Sequence, residues 1–570
     1  MKTIKKTKLG GILLAIVMAF LLNTNANASN IQIPTEPRIT DAGSGLKIVR
    51  FDLTWEYSWR SAQLRNWDGA WVFVKYRVGM DNWDHMYLDP EFTPQTGITT
   101  NGTAMSHQYG RTGGEDGKAV GVFLFRADNG QGNINWQNIG LRWRYDQPNT
   151  YASRDQLYAD DDVIVRVFAI EMVFIPEGAF YLGDGANKPG NFCRAGELDG
   201  IIIPYRIVNE SGAIGIAMRP TDADDLSEVE NMLSAVGTDS NLVYAPTGYG
   251  VGPQDATAIR STFPKGFQSF WIMKYEITQS AYCDFLNTLT TAQQTTRIRM
   301  NSDAAMYARV MLVDGDRNGI QVKTPGTIEF GMRMSNTGDF DKIDDGHGVA
   351  CAMGKDDFLA YLDWSGLRPM TELEYEKACR GPLNPVPGEF PWGATFQIGA
   401  TTNVTNLINV NLPTEAYTLP AGVNHNNSGT ANNVAIQVLM VTRNGAFATD
   451  ISDRIKAGAT YWGVMEMGSN LAEPVVNIST VEGRSYTGRH GDGRLTLEGE
   501  ANTLLWPETP FTGLGHRGGN VANGLSGFVG VGLQTTSSRE AVVNAWPHRY
   551  FTGGRGVRTA SATGTVFNGL

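Results

Sequence analysis

Histidine, the side chain that most often binds catalytic metals, is rare and scattered in this 570-residue chain. No two histidines are four residues apart, the spacing that would let one helix turn hold a metal ion with both rings. The seven are His85, His107, His347, His425, His490, His516 and His548. The chain also lacks a Gly-x-Ser-x-Gly nucleophile elbow. We therefore predict neither a histidine metal centre nor a hydrolase triad.

Cysteine thiolates are the other common redox and metal ligands, and this chain has Cys193, Cys283, Cys351 and Cys379. Two of them, Cys283 and Cys379, lie in segments with helical signals among aromatic and aliphatic neighbours. A buried, inert thiol is the usual state in such surroundings. Sequence alone leaves any disulfide pairing open.

One acidic loop has part of the spacing of a calcium-binding loop. Residues 314 to 319 read Asp-Gly-Asp-Arg-Asn-Gly, which gives oxygen ligands at positions one, three and five and glycine at position six. The twelfth position, where a bidentate carboxylate is required, is Pro325. The pattern therefore predicts an ordinary Asp/Asn/Gly turn.

The segment from Trp364 to Gly381 carries the clearest local signals. Thr371 can cap a helix, and Glu374 three residues later can bond back to the cap in a capping box. A hydrophobic staple between Met370 and Tyr375 would fix the entry angle of the chain. We predict a short helix that begins at Glu372 and is ended by Gly381, followed by proline.

Several motifs accompany this helix in a fixed order. They are Met172 to Gly183, Tyr275 to Asn287, the helix segment, Pro391-Trp392-Gly393, Met467 to Glu473, His516 to Asn520 and Gly554 to Arg558. In type and order they resemble the formylglycine-generating enzyme family, also called sulfatase-modifying factors, over about residues 170 to 560. The resemblance implies a C-type-lectin-like, loop-rich mixed fold, but a fold does not by itself imply an activity.

The chemistry of the family does not transfer to this chain. Formylglycine-generating enzymes hold copper with two cysteine thiolates near the end of the domain, and all four cysteines here lie upstream of that region. The related iron-dependent sulfoxide synthases need three histidines, which nothing here matches. We therefore assign no catalytic or cofactor-binding residue and expect no copper or iron.

The resemblance does imply a structural calcium site. The family loop that corresponds to Met467–Glu473 binds calcium through side-chain and backbone oxygens, and Asn470 and Glu473 stand at the matching positions. Ala472 and Pro474 replace family tryptophans, so the packing of the loop differs. The alternative is that Asn470 and Glu473 only bond the loop backbone.

The first residues indicate export. Four lysines precede an apolar run from Leu9 to Leu22, and Ala26-Asn27-Ala28 supplies a cleavage site, which together predict a secretory signal over residues 1–28. The mature chain would carry no lipid-bearing cysteine and no membrane anchor. A formal charge of −11 argues against nucleic acid and anionic lipid as partners.

The region before the family motifs has the pattern of a β domain. From Lys47 to Arg60, apolar and polar residues alternate, as in a half-buried strand. Further β-rich runs lie at 70–78, 119–127, 139–145 and 162–170. The tryptophans of this region are predicted to be core residues rather than a sugar-stacking surface, except Trp67 and Trp83, which we expect in exposed loops.

These patterns predict an α+β chain of two domains. Residues 29–168 would form an antiparallel β-sandwich, joined with little freedom to a formylglycine-generating-enzyme-like domain over 169–570. Two insertions, at about 185–262 and 291–345, match no family motif and would decorate the surface of the second domain.

Three classes of function are compatible with these sequence features. The first is a secreted, non-catalytic binding or assembly protein in the periplasm or at the cell surface, with a protein, a polysaccharide or a second copy of itself as partner. The second is a sulfatase-modifying-factor-type enzyme with a non-standard site near Ser538, Arg539, Trp546 and His548. The third is a variable ligand-display domain, which shares the fold.

Overall fold

The structure is a computed structural model, and it describes most of the chain in segments. The described residues are 30–42, 47–95, 102–111, 119–143, 162–195, 201–216, 232–236, 258–300, 306–308, 319–323, 328–332, 348–396, 407–409, 415–417, 441–448, 452–508, 510–520, 534–540 and 552–560. The predicted signal segment and the acidic turn at 314–318 lie outside them. None of the helices that the structure describes is long and apolar enough to span a bilayer.

The described chain is mainly β-structure with antiparallel pairing and five short helices, consistent with a mainly-β or α+β fold. Its first eight strands are β1 (Arg38–Asp41), β2 (Lys47–Ser61), β3 (Asn66–Val78), β4 (Asp84–His85), β5 (Met105–Arg111), β6 (Ala119–Arg126), β7 (Gly130–Trp143) and β8 (Val163–Ile175). Strand β2 pairs with β1 and β7, whereas β3 pairs with β6 and β8. Apolar side chains from both sets meet in one hydrophobic core.

The remaining strands are mostly short. They are β9 (Phe180–Leu182), β10 (Phe192–Arg194), β11 (Tyr205–Ile207), β12 (Leu233–Ala235), β13 (Phe270–Met273), β14 (Ile298–Met300), β15 (Met306–Ala308), β16 (Ile320–Val322), β17 (Phe330–Met332), β18 (Arg368–Pro369), β19 (Leu407–Ile408), β20 (Ala416–Tyr417), β21 (Glu473–Val476), β22 (Leu514–Arg517) and β23 (Gly556–Thr559). The helices are α1 (Gln279–Leu286), α2 (Thr291–Thr295), α3 (Lys355–Trp364), α4 (Glu372–Arg380) and α5 (Val481–Arg484).

Strand β2 confirms the predicted half-buried strand, with one correction. Phe51, Leu53 and Trp55 are buried as the alternation requires. At Tyr57 the pattern fails, because a bulge with φ of 54° turns this ring to solvent and brings Ser58 inward. The Ser58 hydroxyl then donates to the buried Asp68 carboxylate at 2.8 Å.

Helix α4 confirms the predicted start and stop. The Thr371 hydroxyl accepts from the Glu374 backbone N–H at 3.1 Å, and the Glu374 carboxylate accepts from the Thr371 N–H at 2.9 Å. Gly381 ends the helix with φ of 67°, a conformation that favours glycine.

Strand β8 joins the N-terminal strands to the rest of the molecule. Its residues pair with β3 along nearly its whole length, and its last four residues, Met172–Ile175, pair with β13. The sheet continues from β13 through β23 to β18. The predicted boundary between residues 168 and 169 therefore lies inside one continuous strand.

Aromatic side chains fill the junction below this shared sheet. Phe123 stacks on Trp271 with ring centroids 4.3 Å apart, and Trp67 stacks on Phe174 at 4.1 Å. Trp67 is buried in β3, so its predicted exposure is wrong, because Phe174 of β8 and Trp271 of β13 pack against it. Gly121 makes room for Trp71, since a Cβ there would lie 2.7 Å from the indole ring.

Buried hydrogen bonds cross the same junction. The Trp71 indole N–H donates to the Ser365 carbonyl at 2.8 Å, and the Trp271 indole donates to the Gln108 side chain at 2.9 Å. The ammonium of Lys75 donates to the carbonyls of Trp364 and Gly493 at 2.8 and 2.5 Å. Leaving such buried groups without partners would cost about 1–3 kcal/mol each.

We predict that a fragment of residues 170–570 does not fold by itself. The fragment keeps Met172–Ile175, which pair with β13, but it loses β3, the other neighbour of β8 in the sheet, and Trp271 would lose its stacking partner Phe123. Circular dichroism and thermal melting of the fragment, beside the chain from residue 29 to 570, check this. A soluble fragment with a cooperative melt would contradict the shared-sheet account.

Candidate functional site

The charged residues of α4 are buried, and each has partners in distant segments. Glu372 accepts from Arg539 Nε at 2.7 Å and from Arg539 Nη2 at 2.8 Å, and it also pairs with Arg517 at 3.3 Å. Arg517 reaches Glu376 at 3.0 Å. Burial opposes ionisation of Glu372, but Arg539 and Arg517 outweigh it and hold its pKa below the ordinary value.

The two ends of the helix extend this network. At the start, Arg368 binds both oxygens of Glu374 at 2.6 and 2.9 Å. At the end, Arg380 pairs with Glu389 and with Glu376, and it donates to the Ser537 hydroxyl at 2.9 Å. The α4 network therefore ties β18, β22 and the segment 534–540 to one helix.

Two of the four residues proposed for a non-standard catalytic site take part in or adjoin this network. Arg539 is fully occupied by Glu372 and by the Ser479 hydroxyl, which accepts at 2.8 Å. The Ser538 hydroxyl lies 2.5 Å from the Thr535 hydroxyl. Trp546 and His548 lie outside the described residues. In the described segment, Arg539 and Ser538 therefore make contacts with other residues of the fold.

The four cysteines are free thiols in the structure, and all are buried. Burial raises the pKa of the Cys351 thiol well above its ordinary value, and it raises that of Cys379 as well. A thiol that stays protonated is a poor nucleophile and a poor metal ligand. These positions favour a packing role for the cysteines.

The predicted metal ligands Asn470 and Glu473 lie in one buried loop. Asn470, with φ of 68°, accepts from the Thr442 N–H at 3.0 Å and donates to Glu276 at 2.6 Å. One oxygen of Glu473 accepts from Arg555 Nε at 2.7 Å. The other, Oε1, is buried and has no hydrogen-bond partner among the described residues.

Glu466 is a further member of this loop that the sequence motifs did not include. Its φ of 57° is rare for a residue with a side chain, and one of its oxygens accepts from the Gly445 N–H at 2.7 Å. Its other oxygen is buried without a described partner, as is the side-chain oxygen of Asn444. Burial raises the pKa of Glu466 to about 7. Its only sequence signal is its place one residue before the motif.

The loop fits a hard cation in part. Glu466, Glu473 and Asn444 each hold an unsatisfied oxygen, and oxygen is the ligand atom that calcium prefers. Burial and the neighbouring Glu473 raise the pKa of Glu276 well above its ordinary value, as expected where carboxyl groups lie close together. Asn470 fits less well, because its oxygen already accepts from Thr442. The described side chains form no group of three or more His, Cys, Asp or Glu arranged around a metal.

A separate open cleft of about 780 Å³ lies beside the α4 network. Two segments, 261–270 and 487–504, contribute most of its lining, and Arg368 and Glu374 also line it. Tyr87, from the predicted N-terminal domain (residues 29–168), also lines it. The volume falls in the range of about 300–1,000 Å³ that small-ligand sites occupy. Neither Ser538 nor Arg539 lines this cleft.

The wall at 487–504 is held by buried groups. Asp363 accepts from the backbone N–H groups of Asp492 and Asn502 at 3.1 and 2.8 Å, and burial raises its pKa to about 7. Arg494 binds both oxygens of Asp84 at 2.8 and 2.9 Å. These contacts fix the position of the wall against the N-terminal half.

One histidine in the cleft has a defined tautomer. The Thr559 backbone N–H donates to His490 Nε2 at 3.0 Å, so the proton of the neutral ring must be on Nδ1. Burial, with Arg558 and Arg368 nearby, lowers the pKa of His490 well below its ordinary value. His490 therefore stays neutral and can act as a hydrogen-bond donor.

No protein-family model matches this chain, and no curated protein matches it in sequence. The family resemblance accordingly rests on the motifs themselves.

We predict that Glu466→Gln changes stability in a pH-dependent way in protein stripped of metal by a chelator. The raised pKa of Glu466 means that its stabilising contribution is present below its unfolded pKa of about 4.5 and is lost as the pH rises through about 7. The wild type therefore loses stability between about pH 5 and about pH 8, and the variant does not. The free energy of unfolding of the variant, relative to that of the wild type, should increase over this range by up to ~3 kcal/mol. Thermal melts at the two pH values check this.

The matched control for this prediction is Glu498→Gln, which removes an exposed carboxylate. Its difference from the wild type should be nearly the same at both pH values. An equally constant difference for Glu466→Gln would show that Glu466 ionises normally.

Proposed function

We propose that this chain is an exported, non-catalytic binding or assembly protein that acts in the periplasm or at the cell surface. It would be built on a sulfatase-modifying-factor-type domain beside an N-terminal β-sandwich, with the two joined through β8. The observation that carries the proposal is the 780 Å³ cleft, which is open, polar and rigidly held. Such a cleft suits binding, and its lining includes neither a cysteine nor an activated nucleophile among the described residues.

The contacts of Arg539 and Ser538 support a non-catalytic role. A side chain that performs chemistry must be able to reach the reacting atoms. Arg539 is instead held by Glu372 and Ser479, and freeing it would leave the buried Glu372 carboxylate with Arg517 and the Ile478 backbone N–H as its described partners. The proposal therefore assigns these residues to the stability of the domain.

The partner would be a polysaccharide, another protein or a second copy of this chain. The formal charge of −11 disfavours a polyanion such as nucleic acid or an anionic membrane surface, because long-range repulsion would slow its approach. No membrane anchor forms part of the proposal.

Calcium is proposed as a structural ligand of the loop at 466–473. Glu473 and Glu466 would supply the carboxylate oxygens, and Asn444 a side-chain oxygen, while Asn470 would shape the loop through Thr442 and Glu276. A bound divalent cation would offset the excess carboxylate charge there. Its role would be to stabilise the fold, with no copper or iron involved.

We predict that protein purified without chelator contains calcium and that chelation lowers its melting temperature. Ligands that bind only the folded state stabilise it in this way. Glu473→Gln and Glu466→Gln should lose the calcium, whereas the control Glu498→Gln should retain it. Elemental mass spectrometry and thermal melts check this. If chelation leaves the melting temperature of the wild type and of all variants unchanged, the calcium proposal is contradicted. Bound copper or iron would contradict the non-catalytic function.

The proposed non-catalytic function is tested by an assay for the family's reaction, the conversion of a peptide cysteine to formylglycine. Residues 29–570 are incubated with copper, oxygen and a cysteine-containing sulfatase peptide, and the peptide is examined by mass spectrometry. The proposal predicts unchanged cysteine. Conversion to formylglycine that Arg539→Ala abolishes would overturn the proposal and favour the enzyme alternative, provided that the variant melts cooperatively.

A further inference from the structure

We propose that the cleft between segments 261–270 and 487–504 binds a neutral, polyhydroxylated ligand, namely a short stretch of uncharged polysaccharide. The inference rests on the proposed binding function and names the chemical class that the cleft would take. The inference rests on two properties of the lining. Its net charge is small, and its other polar groups are mostly hydroxyls and amides.

The charges that line the cleft are largely balanced or engaged. Arg368 and Glu374 neutralise each other through two hydrogen bonds of 2.9 and 2.6 Å. Glu210 accepts from the backbone N–H groups of Lys265 and Gln268 at 2.7 and 2.9 Å. The lining holds two cations, Arg368 and Arg489, and three anions, Glu210, Glu374 and Asp492, so its formal net charge among the described residues is −1. A cleft with so little net charge does not select a charged ligand.

The other polar groups in the lining are mostly hydroxyls and amides. They include Ser261, Thr262, Gln268, Thr487, Asn502 and Thr503. Each can both donate and accept a hydrogen bond, as sugar hydroxyls can. His490 adds an Nδ1–H donor, because its Nε2 accepts from the Thr559 backbone N–H. The cleft therefore offers donors and acceptors in the mixture that a chain of hydroxyl groups requires.

A peptide is a poorer match for the same cleft. Peptides that bind as an added strand need a row of exposed backbone groups, and the strands that reach the cleft contribute only single residues to its lining, Phe270 of β13, Arg368 of β18 and Thr559 of β23. Peptides that bind through side chains need an apolar anchor pocket, but the Phe270 ring is only 1% exposed. The exposed Leu504 at the rim gives a flat apolar contact that would suit the C–H face of a sugar ring.

The cleft is also held ready to bind. Asp363 fixes the Asp492 and Asn502 backbones, and the Tyr87 hydroxyl donates to the Asp492 carbonyl at 3.2 Å. A wall that is ordered before binding loses little conformational entropy on binding. Tyr87 belongs to the predicted N-terminal domain (residues 29–168), whereas the other lining residues belong to 169–570. The site is therefore complete only when both parts of the chain are present.

Isothermal titration calorimetry of residues 29–570 tests the inference. The probes are soluble hexasaccharides of glucose, mannose, xylose and galactose, with oligogalacturonate as the charged comparison. We expect a saturable isotherm with at least one neutral probe and weaker or no binding of oligogalacturonate. Arg489→Ala and Asn502→Ala should each weaken the neutral probe by about tenfold, the loss expected for one or two hydrogen bonds.

The matched control is Lys456→Ala, which removes an exposed cation that does not line the cleft. It should bind like the wild type. Arg489 and Asn502 are themselves exposed, so their variants should melt like the wild type.

Three outcomes would overturn the inference. They are the absence of binding by every neutral probe, tighter binding of oligogalacturonate, and neutral binding that both cleft variants leave unchanged. If the chain instead binds a protein and no sugar, the proposed binding function is supported and the proposed polysaccharide ligand is wrong. Turnover of the sulfatase peptide would remove the binding function itself, so the two failures are distinguishable.

Discussion

Buried charge that must be paired is the constraint on which this structure depends. Glu372, Glu376 and Arg380 all lie on the nine-residue helix α4, and each is almost completely inaccessible to solvent. An unpaired buried charge would cost several kcal/mol, so each position of this helix demands a specific partner elsewhere in the chain. From separate segments, Arg539 and Arg517 pair with Glu372, Arg517 also pairs with Glu376, and Glu389 pairs with Arg380.

The second organising feature is strand β8, which belongs to two sets of contacts at once. Through β3 it supports the N-terminal strands, and through β13 it reaches β23 and β18, next to α4. Aromatic packing and hydrogen bonds such as that from Trp71 to Ser365 close the junction. Because Tyr87 and Asp84 come from the N-terminal half, the same junction positions the wall of the open cleft.

Local signals predicted local structure well. The capping residues Thr371 and Glu374 correctly gave the start of α4, and the alternation in β2 correctly gave the burial of Phe51 to Trp55. What sequence could not supply was the identity of distant partners. Trp67 is predicted to be exposed from its local sequence, because nothing local shows that Phe174 and Trp271 cover it. Glu466 and the cleft were missed for the same reason, since they are assembled from segments far apart in the chain.

The central claim is that the charged residues of α4 and their partners in distant segments hold the fold together through buried ion pairs. A double-mutant cycle on Glu372 and Arg539 tests it most directly, with unfolding free energies of Glu372→Gln, Arg539→Met and the double variant. The account predicts that each single change costs about 3–5 kcal/mol and that the double variant costs clearly less than their sum. Single changes that cost less than about 0.5 kcal/mol, or costs that simply add, would contradict it.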